Sequence, residues 1–213
     1  MRITEKNPSF TNKLAGSESP YLRQHVNNPV YWYPWGEEAL TRAREEDKPI
    51  FLSVGYSSCY WCHVMEREVF ANLSIAAQLN RMFVCVKVDR EEHPQIDDLY
   101  MHARQVMTHE GGWPNNVFLT PDLKPFYAGG TFGATELYGK PSFPRLIDWL
   151  GASWQTDREN VLKIAEETTQ MLSHFMVAKK AGFAPLDFTQ AIEAARTEIA
   201  QQYDAQSDRK SVV

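Results

Sequence analysis

Two short and almost uninterrupted apolar runs, Ile50 to Val54 and Phe83 to Asp89, constrain the fold of this chain more than any other feature. Strands that read as continuous apolar runs are typical of sheets that are covered on both faces. Helical periodicity runs from Glu37 to Asp47 before the first strand and from Gln95 to Met107 after the second. Alternating helices and buried strands predict an α/β domain that contains a parallel pair of strands.

A hairpin pattern follows the second of these helices. Val117 to Thr120 and Pro125 to Ala128 are predicted strands, and Pro121 to Lys124 is the turn between them. A parallel pair joined by helices and followed by an antiparallel hairpin is the element order of the thioredoxin fold. We therefore predict a thioredoxin-like domain, with a central mixed sheet flanked by helices.

We divide the 213 residues into three parts. Residues 1–36 form an aromatic-rich N-terminal arm, residues 37–150 the thioredoxin-like domain, and residues 151–213 a helical extension. Within the extension, apolar stripes from Val161 to Phe175 and from Phe188 to Tyr203 have helical spacing and need a partner surface. We expect this extension to be the start of a missing or truncated second domain.

Proline interrupts the N-terminal arm repeatedly and predicts an irregular path, at Pro8, Pro20, Pro29 and Pro34. The same segment is dense in tyrosine and tryptophan. Leaving such rings in water would forfeit about 1.5 to 3 kcal/mol each, so we expect the arm to pack against the domain. The simplest interpretation is an ordered extension that has no catalytic part.

Composition argues against several classes of partner. The net charge is −5 and no Lys/Arg cluster is present, so we expect neither nucleic acid nor an anionic membrane surface as a partner. No stretch approaches the roughly 18 to 20 apolar residues of a membrane helix. Met1 to Phe10 shows no export signal, and three cysteines cannot form a disulfide framework. These features predict a cytoplasmic protein.

The first buried strand leads into the run Cys59-Tyr60-Trp61-Cys62-His63. Ser57 and Ser58 are suitable N-caps, which predicts that Cys59 lies in the first turn of a helix. Unpaired N–H groups there lower the pKa of a thiol and favour the thiolate. We therefore predict a redox-active dithiol in which Cys59 is the nucleophile and Cys62 the resolving thiol.

A proline precedes the third predicted strand, in the turn Gly111-Gly112-Trp113-Pro114. We predict that the Trp113–Pro114 peptide bond is cis, a state available to X-Pro bonds at modest cost. Pro114 would then face the dithiol and leave backbone groups free to pair with an extended peptide substrate. Trp113, with Tyr60, Trp61 and His63, completes the predicted auxiliary and substrate-binding residues.

Other interpretations of the cysteines are less favourable. The Cys-x-x-Cys-His run also fits haem c attachment, which requires export and an axial ligand. A zinc site requires two further ligands, and the remaining cysteine, Cys85, alternates with apolar residues in the second strand, where it is expected to be core. We predict no metal and no cofactor.

Two features near the predicted site stay open. His63 either assists the thiolate or lies on the helix surface. The charged run Asp89 to Glu92 either lines the cleft at the carboxyl end of a strand or forms a solvated loop.

Several motifs resemble the thioredoxin-like domain of the spermatogenesis-associated protein 20 family, over Asn12 to about Tyr203. They are Ser19 to Leu22, Asn28 to Val30, Trp32 to Trp35, Cys59 to Met65, Val88 to Glu92, Gly111 to Pro114 and Val117 to Pro121. The resemblance implies that longer members join this domain to an α/α-toroid domain, which resembles sugar epimerases and glycosidases. Such a domain is a possible C-terminal partner.

The chain departs from related patterns at two positions. The family usually has histidine where this chain has Tyr60, so the Cys59 thiolate should be less favoured and the pair less oxidising. Thioredoxin keeps a buried carboxylate six residues before its first cysteine, and that position here is Ser53. Deprotonation of Cys62 would then need another base, such as His63 or water.

The leading hypothesis is a thiol-disulfide oxidoreductase that acts on protein or small-molecule disulfides and thiols. The alternative is a non-catalytic thioredoxin-like module that docks onto a carbohydrate-active α/α-toroid domain or senses redox state for it.

Overall fold

A five-stranded mixed sheet carries the two predicted apolar runs side by side. The structure, a computed structural model, describes residues 10–136, 139, 141–180, 203–204 and 209–210. The strands of this sheet are β1 (Trp32–Pro34), β2 (Ile50–Gly55), β3 (Val84–Asp89), β4 (Asn115–Leu119) and β5 (Pro125–Gly129). Their order is β1-β3-β2-β4-β5, with β1 and β2 parallel to β3 and with β4 antiparallel to β2 and β5. The predicted thioredoxin-like fold is confirmed.

Helices cover both faces of the sheet. They are α1 (Pro20–Arg23), α2 (Glu37–Glu45), α3 (Tyr60–Met65), α4 (Leu73–Met82), α5 (Pro94–Thr108), α6 (Phe143–Thr156) and α7 (Arg158–Lys180). A 3₁₀ turn spans Lys13–Gly16, and a π-helical turn, Glu66–Phe70, follows α3 directly. Within the part of the chain that the structure describes, no helix is long and apolar enough to cross a membrane.

The two faces of the sheet bury different kinds of side chain, because successive strand residues point to opposite sides. On one face Ile50, Leu52 and Val54 of β2 join an aliphatic cluster. On the other face Phe51 stacks on Phe118 with ring centroids 4.9 Å apart, within an aromatic cluster. Cys59 and Cys62 belong to the aromatic cluster. The dithiol therefore lies on the aromatic side of the sheet.

The N-terminal arm contributes secondary structure that its prolines do not predict. It contains α1 and the edge strand β1, in which Trp32 pairs with Cys85. An edge strand tolerates Pro34 because one side of its backbone needs no partner in the sheet. Trp32 is fully buried and packs edge-on against Phe70 at 5.0 Å. The arm thus forms part of the sheet and of its aromatic core.

The C-terminal region differs in part from its predicted pattern. The boundary predicted at residue 150 falls within α6, whose Trp154 is buried and donates to the Asp47 carbonyl at 2.9 Å. Fewer residues of the apolar stripe predicted on α7 are buried than expected. Ala165 is buried, but Ile164 and Met171 are exposed.

The chain divides into two compact units, residues 1–173 and 174–213. The second predicted helix runs from Phe188 to Tyr203, and all of it before Tyr203 lies outside the described residues. In the second unit, β6 (Tyr203–Asp204) pairs antiparallel with β7 (Arg209–Lys210).

We expect Gly55→Ala to destabilise the fold by about 1 to 3 kcal/mol, because added volume in a filled site forces its neighbours apart. A Cβ atom built on Gly55 would lie 2.7 Å from the Cys62 sulfur and would overlap the Tyr21 phenol. Gly16→Ala is the matched control, since nothing lies within 4 Å of its Cβ position. Urea unfolding of both variants measures the effect, and equal stabilities would contradict the predicted overlap.

Candidate active site

The dithiol follows β2 directly. The Cys59 N–H donates to the Tyr56 carbonyl at 3.1 Å, and Cys59 is the N-cap of α3. Its sulfur accepts the Cys62 N–H at 3.3 Å. The predicted serine cap is wrong, because the Cys59 sulfur takes the position that a serine oxygen would fill and the helix begins at Tyr60.

Cys59 and Cys62 are joined by a disulfide, and their Cα atoms are 5.3 Å apart. This separation lies within the usual range for disulfides. Cys59 is 3% exposed and Cys62 1% exposed, so both cysteines are almost fully buried and Cys59 is the more accessible of the two. The geometry suits a pair that cycles between dithiol and disulfide, with access limited by the surrounding side chains.

Two aromatic side chains between the cysteines face solvent. Tyr60 is 67% exposed and Trp61 43% exposed, and their rings meet edge-on at 5.2 Å. Large exposed aromatic groups next to a reactive pair offer apolar contact area to a binding partner. The auxiliary positions predicted between the cysteines are therefore accessible.

A second aromatic group lies at Trp113. The Arg90 guanidinium lies 4.0 Å from the Trp113 ring centroid, and the Tyr56 ring meets Trp113 edge-on at 5.7 Å. The Trp113 indole donates to Asp97 at 2.8 Å, and Arg90 pairs with the same carboxylate at 3.3 Å. Burial raises the pKa of Asp97, against the opposing effects of Trp113 and Arg90. These contacts hold the Trp113 indole next to Tyr56, which lies between β2 and the dithiol.

A buried arginine, Arg104, is hydrogen-bonded to the predicted proline loop around Pro114. The Trp113–Pro114 peptide bond is cis, and Pro114 is buried. Arg104 on α5 donates to the carbonyls of Gly112 at 2.7 Å and Pro114 at 3.3 Å. Sequence reasoning missed Arg104, because an arginine within a helix normally reads as part of a solvated face.

The aromatic side of the sheet also contains a fully buried lysine. Lys87 on β3 donates to the Ser53 hydroxyl at 3.0 Å. Its ammonium group lies 4.5 Å from the Phe70 ring centroid and 4.8 Å from the Trp32 centroid, in cation–π contact. Burial lowers the pKa of Lys87 to about 7, although the charge of Glu66 opposes this shift. A charged residue within an apolar run was the signal that could have revealed this group.

His63 is hydrogen-bonded to the loop before the dithiol, and Cys85 lies in the core. The His63 Nε2 atom donates to the Ser57 carbonyl at 2.8 Å, so its ring is fixed against the preceding loop. Cys85 is buried in β3, and burial raises the pKa of its thiol. Among the described residues, no group of three or more His, Cys, Asp or Glu side chains is placed to hold a metal ion.

The charged run after β3 is divided between the site and solvent. Asp89 is buried and accepts a hydrogen bond from the Ser19 hydroxyl of the arm at 2.6 Å. Arg90 covers Trp113, whereas Glu91 and Glu92 are exposed. The first half of the run therefore anchors the arm and the aromatic group, and the second half is a solvated loop.

The strand order and the paired cysteines define a thioredoxin-like domain with a Cys-x-x-Cys disulfide. The chain belongs to the family whose model is called Thioredox_DsbH and is described as "Protein of unknown function, DUF255", which matches residues 11–173. The resemblance noted in the sequence is confirmed.

Relatives in several animals share this domain. Spermatogenesis-associated protein 20 of Mus musculus is 46% identical over 165 residues, which is 78% of this chain and 21% of the mouse protein. The Homo sapiens protein of the same name is 47% identical over 161 residues, 76% of this chain and 20% of the human protein. An uncharacterized protein of Caenorhabditis elegans is 46% identical over 77% of this chain and 22% of its own length. The match thus spans about a fifth of these relatives.

Solved structures show more distant likeness. A structure titled "DsbH Oxidoreductase" is 20% identical, covers 63% of this chain and 85% of its own, and has a TM-score of 0.39. A thioredoxin from Thermus thermophilus is 18% identical, covers 59% and 89%, and has a TM-score of 0.42.

The titration of Lys87 predicts how stability depends on pH. Its folded pKa of about 7 lies below the value of about 10.4 in an unfolded chain, so between these values the unfolded chain binds the extra proton. The free energy of unfolding of the oxidised parent should therefore rise by about 1 to 2 kcal/mol more than that of Lys87→Met from about pH 7 to about pH 8.5.

Urea unfolding at the two pH values, without reductant, measures this difference. Cys85 and the buried tyrosines are common to both proteins, so their titration cancels in the comparison. An identical pH dependence in the two proteins would contradict the lowered pKa of Lys87.

Proposed function

We propose that the domain is a thiol-disulfide oxidoreductase that acts on protein or small-molecule disulfides and thiols. The observation that carries this proposal is the Cys59–Cys62 disulfide across the first turn of α3, with the Cys59 sulfur accepting the Cys62 N–H. An N–H donor directed at that sulfur also stabilises the thiolate that forms when the disulfide opens. The cytoplasmic location expected from the sequence is part of the proposal.

The proposed reaction is two successive exchanges. The Cys59 thiolate attacks a substrate disulfide, which forms a mixed disulfide and releases one substrate thiolate. Cys62 then loses its proton, attacks the Cys59 sulfur and releases the second substrate thiol. Two electrons pass from the dithiol to the substrate, and the proton of Cys62 ends on a substrate sulfur. A reducing dithiol, or two equivalents of a monothiol, then opens the Cys59–Cys62 disulfide, restores the dithiol and is itself oxidised to a disulfide.

The neighbouring residues have proposed roles in substrate binding. Tyr60 and Trp61 offer exposed apolar surface, and the Trp113–Pro114 segment presents backbone groups to an extended peptide. Arg104, through its two bonds to this segment, is a positioning residue. His63 orients the dithiol turn through the Ser57 carbonyl.

Three cysteine variants test the proposed reaction. We expect Cys59→Ser to lower insulin reduction and exchange with glutathione disulfide to the background rate, because the attacking sulfur is lost. We expect Cys62→Ser to form the mixed disulfide and to stop there. Cys85→Ala is the control and should keep the exchange rate, since its thiol is buried in the core. Unchanged exchange in both Cys59→Ser and Cys62→Ser would refute the proposal.

Tyr60 offers a test of the redox balance. Tyr60→His should make the couple more oxidising, because an imidazolium next to Cys59 stabilises the thiolate and hence the reduced form. A tenfold change in the equilibrium with glutathione corresponds to about 30 mV, and we expect a shift of about this size. Tyr60→Phe is the control without a titrating group. Equal potentials in the two variants would contradict the expected effect of the imidazole.

A second candidate function is favoured by the low exposure of Cys59. Cys59 is only 3% exposed and lies next to exposed Tyr60 and Trp61, which also suits a non-catalytic module that docks through these rings. This module would serve the further domain expected in longer relatives. Two results together would support this function over catalysis. The parent protein would show no thiol-disulfide exchange, and it would bind the further domain in a way that Trp61→Ala abolishes.

A further inference from the structure

The N-terminal arm places an unpartnered hydroxyl inside the protein. Tyr21 of α1 is fully buried, and its hydroxyl has no hydrogen-bond partner among the residues that the structure describes. Buried tyrosine hydroxyls usually find a partner, since an unsatisfied buried polar group costs about 1 to 3 kcal/mol. Burial, and then the charge of Asp89, raise the pKa of Tyr21. The hydroxyl is therefore a proton-bearing donor at neutral pH.

This hydroxyl lies beside the resolving cysteine. A Cβ atom built on Gly55 would overlap the Tyr21 hydroxyl oxygen and would lie 2.7 Å from the Cys62 sulfur, so both atoms flank the same point next to the Gly55 backbone. A disulfide sulfur is a weak acceptor, whereas a thiolate is a strong one. The donor therefore lacks a good partner while the disulfide is closed and gains one when it opens.

We propose that Tyr21 is a positioning residue for the dithiol, whose hydroxyl donates a hydrogen bond to the Cys62 sulfur in the open state and favours its thiolate. This inference rests on the proposed oxidoreductase function, because it assigns the residue that prepares Cys62 for the second exchange. Tyr21 keeps its proton throughout. The Cys62 proton passes to the departing substrate thiolate, the Cys59–Cys62 bond forms, and the bond from Cys59 to the substrate breaks.

Several charged and titratable groups surround Tyr21. The Lys87 ammonium lies 5.3 Å from the Tyr21 ring centroid, and the His25 ring meets it edge-on at 5.1 Å. The charge of Asp89, which accepts a hydrogen bond from Ser19, also acts on Tyr21. Burial and the charge of Lys87 keep the pKa of His25 well below its usual value, so His25 is neutral near pH 7.

More distant charges act through these groups. Glu66 of the π-helical turn interacts with Lys87, and His63 interacts with His25. Because parent and Tyr21→Phe share all of these groups, a difference between them reports on the hydroxyl.

The test measures the pKa of the Cys62 thiol directly. In a Cys59→Ser background, NMR of the Cys62 β-carbon follows its ionisation with and without Tyr21→Phe. We expect the pKa to rise by about one unit without the hydroxyl, which is a tenfold smaller thiolate fraction. The tenfold smaller thiolate fraction slows the resolving step, but a more basic thiolate is intrinsically more nucleophilic and compensates in part. The step should therefore slow about threefold near neutral pH. Attack by Cys59, measured in a Cys62→Ser background, should not change.

Tyr100→Phe is the matched control. Its hydroxyl is also buried but donates to the Leu123 carbonyl at 3.1 Å, in the aliphatic cluster. Tyr100→Phe should lower stability in both redox states and leave the Cys62 pKa unchanged. Tyr21→Phe should not lower the stability of the oxidised protein, since it removes a hydroxyl without a partner.

An unchanged Cys62 pKa in Tyr21→Phe, or an equal shift in Tyr100→Phe, would overturn the proposal. If Tyr21→Phe does not fold, a fluorotyrosine at position 21 keeps the shape and is a stronger donor. It should lower the Cys62 pKa, and no change would again overturn the proposal. The NMR titration needs no substrate, so it tests Tyr21 even if the cysteine variants refute the oxidoreductase function.

Discussion

The missing side chain at Gly55 is the constraint on which the site depends. Because Gly55 has no Cβ atom, the end of β2 can lie directly below both the Cys62 sulfur and the Tyr21 phenol. Any larger residue would separate the strand from the helix that carries the dithiol. The arm, the sheet and α3 therefore meet at one point, and our proposal for Tyr21 adds a positioning role to the arm, which the simplest sequence interpretation leaves without a catalytic part.

The charges next to Tyr21 differ from those of a site with a buried acid. Ser53 occupies the position where thioredoxin keeps a carboxylate, and its hydroxyl accepts from Lys87. A carboxylate there would oppose a nearby thiolate by like-charge repulsion, whereas a lysine is either neutral or positively charged. The aromatic rings around Lys87 tolerate its charged form through cation–π contact while burial favours the neutral form. A positive charge on Lys87, next to Tyr21, would favour the Cys62 thiolate that we propose.

Local sequence pattern predicted the parts of the fold that are held by local contacts. The runs at β2 and β3 and the hairpin turn at Pro121 to Lys124 show their structure in five or six residues, and the cysteine spacing shows the disulfide ring. Strand β1 was missed because it is three residues long and gains its stability from pairing with β3. Lys87 and Arg104 were missed because their partners, Ser53 and Gly112, lie outside the elements that carry them.

Long-range polar contacts explain why the arm follows one path despite its prolines. Ser19 caps α1 by accepting the Leu22 N–H and also donates to Asp89, 70 residues away. Asn28 accepts from the Trp32 indole and donates to Glu66 in the π-helical turn after α3. These bonds tie the arm to both β3 and the helix of the dithiol. The motifs around Ser19 and Asn28 therefore fix the position of the Tyr21 ring, which lies between them in the sequence. The geometry of the candidate active site thus depends on residues that lie far from the cysteines in sequence.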